Sequence, residues 1–86
     1  MEINNLINII KKKLLENIFI EKIIIEDKTY LHTKHLSHDK NKFHIKLTIS
    51  SRELKKISKL DATKKVNKIL EEEIKNYIHS IQILFN

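Results

Sequence analysis

Histidine is the residue type with the most chemistry to offer in this chain, whose 86 residues include five histidines and no cysteine. His32, His35 and His38 recur at every third position, Asp27 and Asp39 flank them, and His44 follows shortly after. Neutral imidazole is a common ligand for zinc, iron, nickel and copper. The triplet is therefore a candidate stand-alone metal site. It reads equally as a polar loop that has gathered surface histidines, because histidine-rich tracts are compositional signals. The H-x-x-H spacing lacks the glutamate and helical period of a metalloprotease motif. His79 is a different case, set in Ile78-His79-Ser80-Ile81 with the parity of Ile81 and Ile83. That parity reads as a partly buried, hydrogen-bonded histidine, with a ligand role as the competing reading.

The other polar groups support little catalysis. Carboxylates are scattered over helical stretches, and Glu71-Glu72-Glu73 reads as a solvated face. Ser50-Ser51 follows a strand-like run, but the chain has no glycine for a nucleophile elbow. Ser51 reads instead as a helix cap, and the protein as a non-enzyme. The basic stretch holding Lys55, Lys56, Lys59, Lys64, Lys65 and Lys68 is the best nucleic-acid candidate, in the manner of a helix-turn-helix. Against it stand a single arginine (Arg52), no interleaved aromatics and one good base reader, Asn67. A solvated surface is the competing reading.

Composition narrows the classes further. Seventeen Lys+Arg against eleven Asp+Glu give +6, which favours solubility and non-specific attraction to anions. The abundance of Lys, Asn and Ile matches A/T-rich codons, so base composition alone can swell the lysines without any polyanionic partner. The absence of glycine excludes a P-loop, a G-x-G-x-x-G turn and the GXXG clamp of KH domains. With no cysteine there is no disulfide framework, zinc ribbon, thiol nucleophile or all-thiolate cluster site. No apolar run approaches the roughly 18–20 residues of a membrane span. The opening MEINNLINII lacks a signal peptide's basic start and small-residue cleavage site, and a cytoplasmic location is expected.

The elements that must position these groups follow from periodicity. Ile3, Leu6, Ile7, Ile10 and Leu14 form one stripe of a helix over about residues 2–16, with Lys11, Lys12 and Lys13 toward its negative end. Ile18 to Glu26 reads as a strand, rich in β-branched residues. Residues 27–42 form a long polar loop of the kind that often carries function. Phe43, Ile45, Leu47 and Ile49 alternate strictly with His44, Lys46, Thr48 and Ser50, giving a strand with one wet face. Ser51 opens a short helical turn, and Asp61 caps one longer helix with Ala62, Val66, Ile69, Leu70, Ile74 and Tyr77 inward. In that helix the early lysines and the late Glu71-Glu72-Glu73 oppose the dipole. A last strand spans residues 80–85. The order α-β-β-α-α-β, with helices over one face of a small sheet, predicts a single two-layer α+β domain over 1–86.

Placed in order, these segments resemble the BolA-like family across nearly the whole chain. Asp27-Lys-Thr29-Tyr-Leu-His32-Thr-Lys-His35 is similar to the family's D-E-S-x-x-H-x-x-H segment. His44 through Ile49 to Ser51-Arg-Glu-Leu54 resembles T-H-F-x-V-x-V-V-S-x-x-F. Leu60 through Val66 to Leu70 tracks L-x-R-H-R-x-V-x-x-x-L, and Glu72-Glu73-Ile74 with Ile78-His79-Ser80-Ile81 resembles D-E-L followed by V-H-A-L. Three positions depart: Lys28 replaces an acidic residue, Lys56 a glycine, and Ala62-Thr63-Lys64 the Arg-His-Arg of the helix associated with DNA contact.

The resemblance implies a three-stranded mixed sheet with helices on one face, similar to class II KH domains. It implies a monomer that forms a heterodimer with a monothiol glutaredoxin and shares or transfers a [2Fe–2S] cluster. The family's cluster ligands map onto His79 and His32, with His35 as the substitute for His32, and this reverses the structural reading of His79. No cofactor is expected on the chain alone, because thiolates must come from glutaredoxin and glutathione. Two imidazoles facing two sulfurs resemble a Rieske centre, where histidine raises the reduction potential. Imidazole binds iron only when unprotonated, so assembly is expected to weaken as pH falls through the free-imidazole value of about 6.5. A DNA-binding transcriptional regulator, using the lysines named above, is the alternative the family implies.

Overall fold

A computed structural model describes residues 1–29 and 42–86. The first helix, α1 (Ile3–Asn17), buries Leu6, Ile10 and Leu14 at i, i+4 and i+8. Its last turn holds no basic residue, so the lysines expected to complement the dipole stop short of it. Lys13 reaches across to Glu73, as described below.

The apolar run after α1 is only partly a strand. β1 spans Lys22–Asp27, whereas the composition predicted a start at Ile18. Ile18 closes the helix, donating its N–H to Leu14 O at 2.9 Å, and its side chain enters the core. Phe19 O accepts the Ser51 hydroxyl at 2.7 Å, and Phe19 N donates to Glu53 Oε1 at 3.4 Å. The backbone of residues 18–19 is thus committed to a helix end and a neighbouring turn, not to a strand partner.

β2 (Phe43–Ser50) is the central strand of a three-stranded mixed sheet ordered β1-β2-β3. β1 runs antiparallel to it, from Lys22 opposite Ser50 to Asp27 opposite Ile45. β3 (Ile78–Phe85) runs parallel to it. Ile45, Leu47 and Ile49 point to one face and pack with Leu6, Ile10, Leu14, Ala62, Val66 and Leu70 in one core. Alternate residues line the other face, where Ile24, Thr48 and Leu84 share a register row. This is the two-layer α+β arrangement the element order predicted.

The helical segment between β2 and β3 is divided. Ser51 caps the single turn α2 (Arg52–Lys55), accepting from Leu54 N at 3.2 Å. α3 (Lys59–Ile69) is capped by Ser58, which accepts from Asp61 N at 3.0 Å. Asp61 therefore lies inside the first turn instead of capping it. The long helix expected to reach Tyr77 breaks at Leu70 and resumes as α4 (Glu71–Asn76). The break removes the dipole conflict, because Lys68 now lies in the last turn of α3 and Glu71, Glu72 and Glu73 in the first turn of α4. Glu73 is not solvated as expected but buried, and Lys13 Nζ contacts its two oxygens at 2.9 and 2.7 Å. That pair ties α1 to the helix leading into β3. Among the described residues, no helix is long and apolar enough to cross a membrane.

Candidate functional site

His79 sits at the entry of β3 and is exposed. Its parity with Ile81 and Ile83 predicted partial burial, and a register irregularity overturns that expectation. Phe43 faces Ile78 while the next residue, His44, faces Ser80, so β3 takes two steps where β2 takes one. His79 is the additional residue. An inserted residue of this kind re-aims side chains, and such features concentrate beside functional sites.

Two contacts show the consequence. The His79 and His44 rings lie with centroids 4.9 Å apart at an interplanar angle of 49°. Ser80 Oγ is 2.6 Å from His44 Nδ1. Consecutive residues of a regular strand point to opposite faces, yet residues 79 and 80 both meet His44. The extra residue makes this convergence geometrically accessible.

His44 is itself firmly held. It is 6% exposed, its N–H donates to Thr29 Oγ1 at 3.1 Å, and its carbonyl accepts from Lys28 N at 2.7 Å. Thr29 is fixed in turn by Asp27, whose Oδ1 accepts from Thr29 N at 3.0 Å and from the Thr29 hydroxyl. An Asx-type turn therefore ends β1 and presents a hydroxyl to β2. This gives the Asp-x-Thr segment a structural task, with the Asp27 carboxylate engaged in the turn. The shallow recess beside the pair is lined by Lys28, His44, Lys46, Ser80 and Gln82, among others. Lys28 Nζ lies 3.4 Å from Glu26, while Lys46 adds a further cation.

His32 and His35, the expected loop ligands, lie outside the described residues, as does His38 of the candidate stand-alone site. Among the described residues no group of three or more His, Cys, Asp or Glu side chains could hold a metal ion. A metal centre engaging His79 therefore needs donors from beyond this described set. His44 stood near the histidine triplet in sequence but carried no assigned role, and only the strand register joins it to His79. The lysines of the nucleic-acid alternative (Lys55, Lys56, Lys59, Lys64, Lys65 and Lys68) are all exposed, on α2, α3 and the turn between them. Lys65 is paired with Glu53 at 3.0 Å. Its amine, together with the Phe19 N–H, holds the Glu53 carboxyl below the usual carboxylate range.

A search of curated proteins returns no match. Solved structures do match: BolA1 from Arabidopsis thaliana superposes with a TM-score of 0.75 at 22% identity, covering 90% of this chain and 85% of that one. The BolA domain of SufE1 from Arabidopsis thaliana gives 0.75 at 25% identity, again covering 90% and 85%. BolA1 from Mus musculus gives 0.74 at 19% identity, covering 92% of this chain and 62% of its own. The family model described as BolA-like protein matches residues 14–85, from the last turn of α1 through β3. The chain belongs to the BolA-like family.

Proposed function

We propose that this chain is a non-enzymatic adaptor that pairs with a monothiol glutaredoxin and shares or transfers a [2Fe–2S] cluster. His79 supplies one imidazole, and His32, or His35 in its place, supplies the second. The observation that carries the reading is the exposed His79 ring at the strand irregularity, turned out of the core and backed by His44. Thr29, the last described residue before the segment bearing His32, is bonded to the backbone of His44. Thr29 and His79 thus share His44 as one anchor.

The donor set matches this division of labour. A chain without cysteine offers neutral nitrogen ligands and no thiolate, so the sulfur ligands belong to the partner and to glutathione. Lys28 and Lys46 beside the recess favour an anionic, thiolate-ligated cargo over a cationic one. Imidazole ligands that can take up a proton suit release of that cargo better than storage.

The test is anaerobic reconstitution with a monothiol glutaredoxin, glutathione, iron and sulfide, followed by visible absorption and circular dichroism. The heterocomplex spectrum should differ from that of glutaredoxin alone, and His79→Ala should abolish the difference. An unchanged spectrum for that variant overturns the ligand assignment. The regulator alternative rests on the exposed lysines of α2 and α3, where Ala62, Thr63 and Lys64 replace the family's Arg-His-Arg segment. It is the weaker reading.

A further inference from the structure

His44 has no part in the ligand set proposed above, yet it is a buried and firmly held residue beside it. Its backbone is fastened at both polar atoms by Lys28 and Thr29, its Nδ1 meets Ser80, and its ring is buried. The His79 ring, by contrast, is exposed and lies against this fixed surface with centroids 4.9 Å apart. We infer that His44 is a positioning residue for His79, its ring forming a rigid wall that limits the rotamers of the exposed ligand while Ser80 locks the wall in place.

The inference rests on the adaptor reading for its function, but its physical content is separate. An exposed imidazole samples several staggered rotamers, and a neighbouring ring that occupies one side removes part of that freedom. A ligand held near its bound orientation loses less entropy when the metal arrives. Partners hydrogen-bonded to a ligating histidine change metal affinity by roughly 10–100-fold when removed, and a ring that only restricts rotation sits at or below the low end of that range. The strand irregularity supplies the geometry. Without the additional residue, positions 79 and 80 would face opposite ways, and one ring could not touch the first while bonding the second.

The experiment has two readouts on the same variants. In the apo protein, carbon and proton resonances of the His79 ring are followed by NMR, with core methyls of Leu47 and Val66 as a control for folding. In the complex, cluster retention on the glutaredoxin pair is titrated with a chelator. His44→Ala should move the His79 ring signals and weaken retention by up to roughly 10-fold, with the core methyls unchanged. His44→Phe, which restores the ring but not its Nδ1–Ser80 bond, should recover both to the level of Ser80→Ala. Ser80→Ala alters an exposed position and should give an intermediate loss, which keeps the test informative if His44→Ala unfolds. Wild-type retention and unmoved His79 signals in a folded His44→Ala protein would overturn the inference. Retention by His44→Phe below the level of Ser80→Ala would also overturn it, since something other than the ring surface and its Ser80 lock would then matter. If His79→Ala leaves retention unchanged, the assignment of His79 as a cluster ligand fails, while the NMR shifts of the His79 ring in the His44 variants still decide the positioning claim.

Discussion

At the residue scale, the informative disagreement concerns His79. Alternation placed it inward with Ile81 and Ile83, because a period of two cannot register a single inserted residue. The insertion appears only in the pairing with β2, where Ile78 and Ser80 face consecutive residues. Its motif, not its parity, was the signal that singled it out. Ser51 shows the opposite case, since its position at the end of an alternating strand was enough to identify a cap. Structure adds a second bond, in which the same hydroxyl donates to Phe19 O at 2.7 Å while accepting from Leu54 N. Ser51 is buried, so removing its oxygen leaves a helix donor uncapped and a carbonyl short of its partner. Ser51→Ala should therefore cost about 2 kcal/mol, read as a lower urea midpoint with an unchanged m-value. A loss within a few tenths of a kcal/mol would mean that water replaces both bonds.

At the element scale, helices and the central strand were legible because their apolar residues repeat at clear periods. Boundaries were not. The strand expected from Ile18 loses its first residues to hydrogen bonds with Ser51 and Glu53, partners more than thirty positions away. The expected long helix breaks at Leu70, and the charge conflict across Lys68 and Glu71–Glu73 was the sequence trace of that break. The break also delivers Glu73 to Lys13, tying α1 to α4 just before the strand that carries His79. Hydrogen bonding to Glu73, followed by its charge and that of Glu72, raises the Lys13 pKa above its ordinary value in spite of desolvation. A raised folded-state pKa gives stability that is fully present below the ordinary lysine value and lost as pH climbs through the raised one. The gap in urea midpoint between wild type and Lys13→Met should accordingly be widest at neutral pH and close on the alkaline side. A gap independent of pH would assign the effect to packing differences between lysine and methionine instead of the lysine charge. Glu73→Gln should lower the midpoint as well, and the double variant should fall short of the summed losses because the two residues share one interaction.

At the scale of the whole molecule, the histidine pair and the lysines occupy separate elements. The pair belongs to the junction of β2 and β3, and the lysines to α2, α3 and their connecting turn. The two activities associated with the family by resemblance can therefore be separated by substitution. The net charge of +6 will draw any polyanion, so DNA affinity by itself says little, and its response to salt is the informative quantity. Lys65 is engaged by Glu53, leaving Lys55, Lys56, Lys59, Lys64 and Lys68 to neutralise phosphates. If about five phosphates are contacted, log affinity should fall against log salt with a slope of about −4.5, a loss of roughly 500-fold between 50 and 200 mM. With Ala62-Thr63-Lys64 in place of Arg-His-Arg, the helix presents no arginine fork to a guanine edge. Duplexes of unrelated sequence should then bind alike at every salt concentration, in fluorescence anisotropy with competitor DNA. The Lys64→Glu/Lys68→Glu double variant should suppress that binding while leaving the heterocomplex spectrum with glutaredoxin intact. Conversely, His79→Ala should remove the spectrum and leave the salt slope unchanged. A sequence preference that persists near 150 mM salt would shift the balance toward the regulator, and a cluster spectrum lost with the lysines would show that one surface serves both partners.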